Sequence, residues 1–151
     1  MNISFYSRSA NKTLVLDYGL ITDQTKHGVL VCNNGFMYPL FDLEDELDRA
    51  VELYYEAFAN DGIFVNPEKI LHKVVLSFQP WPFFDISFPK QSLGGVNYLY
   101  GGYHYIKVGY RPEIKRTSLI HEIGHTFLRE FMNLWTEEDL YVFTMAHNLP
   151  Y

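Results

Sequence analysis

Thr117-Ser118-Leu119-Ile120-His121-Glu122-Ile123-Gly124-His125-Thr126-Phe127-Leu128 is the stretch on which the reading of this chain turns. It contains H-E-x-x-H, and its flanks (Leu119, Ile120, Ile123, Phe127 and Phe131) are apolar at the spacing of a largely buried helix. Residues i and i+4 lie one above the other on a helix face. His121 and His125 therefore present two imidazoles to one point, where each nitrogen is able to approach a single metal ion to about 2.0–2.1 Å. Glu122 sits beside the first imidazole, placed to reach a water on that metal without ligating it. Gly124 costs the helix about 1 kcal/mol in propensity, which points to a packing or site reason for it. Two partly buried histidines need partners, and a metal satisfies both. The plainer alternative is a pair of hydrogen-bonded core histidines.

Outward from this stretch, the pattern alternates between short strands and helices. Ile3–Ser7, Thr13–Tyr18 and Gly28–Cys32 read as strands, being apolar or β-branched runs bounded by Ser, Asn, Gly and Asp. Leu43, Leu47, Val51, Tyr54 and Phe58 recur at three- and four-residue spacing and predict a helix over 43–58, with Asp42 as N-cap and Asn60-Asp61-Gly62 as its stop. Ile70–Phe78 reads as a buried strand, broken by Gln79-Pro80-Trp81-Pro82. The aromatic, Gly-rich stretch from Phe83 to Gly102 reads as irregular. Tyr103–Tyr110 reads as a strand, followed by a helix over about 113–132 and a last one over about 136–147 with Thr136 as N-cap. No repeat or linker divides the chain, so a single α+β domain over residues 1–151 is expected.

Composition narrows the class. Hydrophobic residues make up 48% of the 151 and charged residues 20%, which excludes a disordered chain. The formal net charge of −6 argues against nucleic acid or an anionic membrane as the partner, because both require clustered Lys and Arg. The lone cysteine, Cys32, follows Val29-Leu30-Val31 and reads as a buried strand residue. The N-terminal residues lack a basic segment followed by an apolar one, and no run of 18 apolar residues occurs. The expectation is a cytoplasmic protein with no membrane partner.

The H-E-x-x-H segment resembles the active-site helix of zincin metallopeptidases, and Tyr103–Tyr110 resembles the edge strand that zincins place over the cleft, where an extended substrate adds by main-chain hydrogen bonds. The resemblance implies a zincin-like fold: a small twisted mixed β-sheet with a backing helix, an active-site helix and a C-terminal ligand helix. It also implies one zinc ion on His121 and His125, and a zinc-dependent endopeptidase acting on protein or peptide substrates. In that activity zinc activates water, and Glu122 is the general base and then the proton shuttle. The rival expectation is a zincin-like binding or regulatory protein with little turnover, against which the intact Glu122 speaks.

A catalytic zinc takes a third protein ligand. The metzincin extension would place Gly at 128 and His at 131, where this chain has Leu128 and Phe131. The acids and histidine downstream are Glu130, Glu137, Glu138, Asp139 and His147. The tail from Asp139 to Pro150 resembles the second motif of ImmA/IrrE-type metallopeptidases, roughly E-A-x-x-F-A and then Leu/Met-Pro. Aligned on Phe143 and Pro150, the family's ligand glutamate falls on Asp139, with Asp in place of Glu and Leu140 in place of Ala. Asp139 also shares a helix face with Val142, Phe143 and Ala146, which reads as core-facing. Asp139 is thus the expected third ligand, Glu138 the alternative and His147 the third choice.

Secondary roles stay open. Tyr141, Tyr151, His104 and His147 are equal candidates to stabilise charge on a tetrahedral intermediate. Trp81, Phe83 and Phe84 suit a cleft lining and a core-packing loop equally well. His27 and His72 read as structural. Gly94-Gly95 and Gly101-Gly102 are not phosphate loops, since they lack the following Lys and the strand–loop–helix setting.

Overall fold

Val74, Val75, Leu76, Ser77 and Phe78 are all buried, so the strand that carries them is covered on both faces and lies inside a sheet. The structure is a computed structural model that describes residues 2–7, 12–17, 21–32, 40–80, 83–84, 92–111, 116–117 and 119–151. In chain order the elements are β1 (Asn2–Ser7), β2 (Lys12–Asp17), β3 (Ile21–Gln24), β4 (Leu30–Cys32), α1 (Leu40–Asn60), α2 (Glu68–Leu71), β5 (Val74–Pro80), β6 (Phe83–Phe84), β7 (Ser92–Leu93), β8 (Gly95–Tyr100), β9 (Tyr103–Arg111), β10 (Arg116–Thr117), α3 (Leu119–Met132) and α4 (Glu137–His147). The class is α+β, as expected from the sequence.

The main sheet is mixed. Its order is β3–β4–β5–β9, with β8 and the short β10 both against the far side of β9. β4, β5 and β9 run parallel, placing Leu76 beside Val31 and Ile106. β3, β8 and β10 are antiparallel to their neighbours. β1 with β2, and β6 with β7, form two separate antiparallel pairs. No described helix is long and apolar enough to cross a membrane.

The core lies between this sheet and the helices. Leu43, Leu47, Ala50, Val51, Tyr54, Ala57 and Phe58 of α1 meet Leu119, Ile123, Phe127 and Leu128 of α3, with Leu76, Phe78, Ile106 and Val108 beneath and Leu140 and Phe143 of α4 at the side. Phe58 stacks on Phe127 at 5.9 Å and contacts Phe143 at 5.3 Å, so aromatic packing ties the three helices together. α1 is the backing helix anticipated from its periodicity.

Several boundaries depart from expectation. Ile70 and Leu71 belong to the short helix α2, started by Asn66-Pro67, and the strand begins at Val74. Asp42 lies inside α1 and does not cap it. Arg116 and Thr117 pair with β9, so the motif helix starts at Leu119 and not near 113. The largest correction concerns the edge strand. β9 is interior, with β5 on one side and β8 on the other, and no described strand lies beyond β8. The stretch 95–100 read as irregular because Gly-Val-Asn-Tyr-Leu-Tyr alternates weakly. Both of its faces find cover: Val96 and Tyr98 on one, Asn97 against α3 on the other. Trp81 lies outside the described residues, and Phe83 and Phe84 are placed only as the short strand β6.

Candidate metal centre

The first two candidate ligands come from the helix itself. α3 turns Leu119, Ile123, Phe127 and Leu128 into the core, which leaves His121 and His125 together on the flank that α4 approaches. Their rings stand 4.9 Å apart and nearly perpendicular. Gly124 has a packing reason: a Cβ there would strike the Tyr54 hydroxyl, which α1 holds against the helix. That hydroxyl is buried with no hydrogen-bond partner among the described residues, and burial pushes its pKa up.

The third member is Glu137. His121 Nε2 lies 3.0 Å from Glu137 Oε2 and 3.3 Å from Oε1, and His125 Nε2 lies 2.8 Å from Oε1. Among the described residues these three form the one group of metal-binding side chains whose ligand atoms all fall within 4.8 Å of one another. A tetrahedral set at 2.0–2.1 Å from zinc holds its members about 3.3 Å apart, close to the spacing found. The chemistry of the donors also fits. His121 Nδ1–H donates to the main-chain oxygen of Tyr151 at 2.7 Å, so in the neutral ring the lone pair is on Nε2, facing Glu137. Imidazole lone pairs facing a carboxylate need a cation or protons between them.

Asp139, the expected third ligand, lies outside this group. Its carboxylate accepts from the Thr136 N–H at 3.3 Å while its own N–H donates to Thr136 Oγ1 at 3.0 Å, a reciprocal cap at the start of α4. Glu138 points into solvent, Glu130 pairs with His104 at 3.4 Å, and His147 pairs with Asp61 at 2.9 Å. The face argument misplaced the core side of α4. Val142 and Ala146 are exposed, whereas Leu140 and Thr144 are buried, and those two share their face with Glu137. Thr136-x-x-Asp139 is a capping pattern, and together with the 137–140–144 spacing it is the signal that identifies Glu137.

Glu122 stands apart from the ligand set. It is 3% exposed, and burial raises its carboxyl pKa, against the pull of His125 and His121. β8 brings its main chain directly onto this carboxylate. A Cβ on Gly95 would come within 2.8 Å of Glu122 Oε2, so the approach requires a bare backbone. Asn97, two residues on, locks strand to helix. Its Nδ2 donates to the Glu122 main-chain oxygen at 3.0 Å and to Thr126 Oγ1 at 2.8 Å, and its Oδ1 accepts from Arg129 Nη1 at 2.6 Å. Gly95, Asn97 and Arg129 had no motif to mark them in the sequence.

The electrostatics of the candidate ligands oppose one another. Burial would raise the Glu137 carboxyl, but hydrogen bonds from His121 and His125 hold it well below the usual carboxylate range. Burial disfavours the charged His121 ring, yet Glu137 and the nearby Glu122 outweigh it and set its pKa above the ordinary value. Of the four candidate charge-stabilising residues, Tyr151 reaches the cluster: its hydroxyl donates to Glu137 Oε2 at 2.8 Å. Tyr141 packs on the Tyr151 ring at 5.4 Å. His104 is fully buried between Arg129 and Glu130, and burial pulls its pKa down to about 4, so it is neutral.

Compared with family models, with characterised proteins and with solved structures, the chain finds no match.

Proposed function

We propose that this chain is a zinc-dependent endopeptidase of the zincin type. The observation that carries the reading is the pairing of a convergent His121–His125–Glu137 donor set with a buried carboxylate, Glu122, that adjoins the set without belonging to it. His121, His125 and Glu137 would hold the ion, and Glu137 takes the place expected for Asp139 or Glu138. Zinc held there supplies a Lewis acid that eases deprotonation of water and polarises a peptide carbonyl.

The chain's own residues supply the rest. Glu122, with its raised pKa, accepts a proton from the attacking water and returns it to the leaving amine. Its burial under β8 keeps it out of bulk solvent and fixes its orientation. Gly95 leaves main chain uncovered beside that carboxylate, the place for an extended peptide to run alongside β8. The reading supports a protein or peptide substrate, and the net charge of −6 disfavours nucleic acid.

The test has two stages. Purified protein is assayed for zinc, and Glu122→Gln is compared with the wild type for zinc content and for cleavage of an unfolded casein-type substrate. The reading expects stoichiometric zinc in both and cleavage in the wild type alone. Absence of zinc after reloading defeats the metal reading. Zinc without turnover in the wild type leaves the zincin-like binding protein.

A further inference from the structure

Tyr151 touches two of the three candidate ligands through two different bonds. Its main-chain oxygen accepts from His121 Nδ1 at 2.7 Å, and its hydroxyl donates to Glu137 Oε2 at 2.8 Å. Its ring stands edge-on to the His121 ring at 4.8 Å and against Tyr141 at 5.4 Å. Resting on the metal reading above, we infer that Tyr151 is the positioning residue of the metal centre, holding one histidine and the carboxylate in register from the far end of α4.

The local structure explains how residue 151 arrives there. Asn148 ends α4 in the left-handed region at φ 55°, and its N–H returns to Met145 and Thr144 oxygens. The Leu149 N–H then bonds the Thr144 oxygen at 2.8 Å, and the Leu149 side chain packs on the core. Pro150 restricts the next step. The helix is about 16 Å long at 1.5 Å per residue. Residues 148–151 span at most about 13 Å even when fully extended. The Tyr151 side chain covers the remaining distance, and its hydroxyl meets Glu137 near the start of α4.

The two bonds do different work. The acceptor on Nδ1 fixes the tautomer of His121 and increases the basicity of Nε2. The hydroxyl occupies one lone-pair position of Glu137 Oε2. Glu137 is otherwise an exposed side chain at the first turn of a helix, so without that bond it has rotamer freedom to lose on binding an ion. Outer partners of this kind typically contribute about 10–100-fold to metal affinity.

The experiment measures zinc dissociation constants for the full chain by competition with a chromophoric chelator at fixed pH. It compares the wild type with Tyr151→Phe, Tyr151→Ala, Tyr141→Phe and a chain lacking residue 151. Tyr151→Phe should weaken zinc several-fold, Tyr151→Ala by about 10-fold, and removal of the residue by up to about 100-fold. Tyr141→Phe should match the wild type. Thermal unfolding of the metal-free proteins should be alike, because the Tyr151 side chain is exposed. The visible absorption of cobalt-substituted protein should shift in the Tyr151 variants and not in Tyr141→Phe. Wild-type zinc affinity in all Tyr151 variants overturns the inference while leaving the metal reading intact. Unchanged affinity with faster peptide cleavage also overturns it, by making Tyr151 a plug. A wild-type chain that takes up no zinc sinks the metal reading and this inference together.

Discussion

Near the start of the chain His27 lies between two carboxylates, Nε2 at 2.6 Å from Asp48 and Nδ1 at 2.7 Å from Glu68. Near its end two histidines, His121 and His125, share one carboxylate, Glu137. The residue types are the same and the proportions are reversed. At His27 one protonated ring offers two N–H donors to two acceptors, so the group is closed by a single proton and pins the β3–β4 turn to α1 and α2. Lys26 adds a further bond to Asp48 at 2.6 Å. At Glu137 the acceptors outnumber the donors once the neutral His121 has committed its Nδ1–H to Tyr151, and the space between them takes either a cation or further protons. The lesson is that a histidine–carboxylate cluster is read by counting lone pairs against protons.

The comparison is broken most forcefully at the Glu137 side. Removing the carboxylate in Glu137→Ala should lower zinc affinity by more than the about 10–100-fold expected of outer partners. Asp139→Ala should keep the metal and lose about 0.5 kcal/mol of stability, because it removes the return bond from the Thr136 N–H and leaves the Thr136 Oγ1 cap in place. Zinc titration with thermal unfolding on both variants decides it, and loss of zinc in Asp139→Ala with retention in Glu137→Ala would reverse the assignment. Glu122→Gln should cost about 10²–10⁴-fold in peptide cleavage with zinc unchanged, measured on the same preparations.

The helix that carries the two histidines is probed next. Gly124→Ala forces Tyr54 to move and should destabilise the fold by about 1–3 kcal/mol. Adding Tyr54→Phe should recover part of that in urea unfolding, because it removes the unsatisfied hydroxyl. No recovery would show that the strain lies elsewhere.

pH sharpens the contrast with smaller effects of opposite sign. Burial disfavours the His27 cation, but bonds to Glu68 and Asp48 outweigh it and raise its pKa. A raised folded-state pKa gives stability that is complete below about 6.5 and disappears as pH rises through the folded value. His27→Gln should therefore cost about 1 kcal/mol near pH 6 and progressively less above it, the bonds being partly exposed. His121 also has a raised pKa, but there the proton competes with the ion, so zinc affinity should increase as pH rises through that value. Parallel pH series of unfolding and zinc binding that ran in the same direction would erase the distinction.

Much of this was legible in advance. α1, α3 and α4 follow from apolar spacing, and Thr136 announces the start of α4, because helix periodicity is local and needs no knowledge of partners. β8 and the interior position of β9 were not legible. Pairing order depends on which surfaces find cover, and a strand such as 95–100, with Asn97 half-buried against α3, alternates poorly in sequence. The resemblance to the ImmA/IrrE-type motif drew attention to Asp139, which caps α4, whereas Glu137 of the same helix is the acid that lies against the two histidines.

By itself the sequence determined the α+β class, the motif helix and the convergence of His121 with His125, since residues four apart must share a face. It also placed Glu122 beside them. The tertiary structure alone decided that Glu137 gathers with the two histidines, that Gly95 lays bare main chain on Glu122, and that Tyr151 returns to bond His121 and Glu137. Each of those depends on how two elements distant in sequence are rotated against one another, and that rotation is set by packing of the shared core.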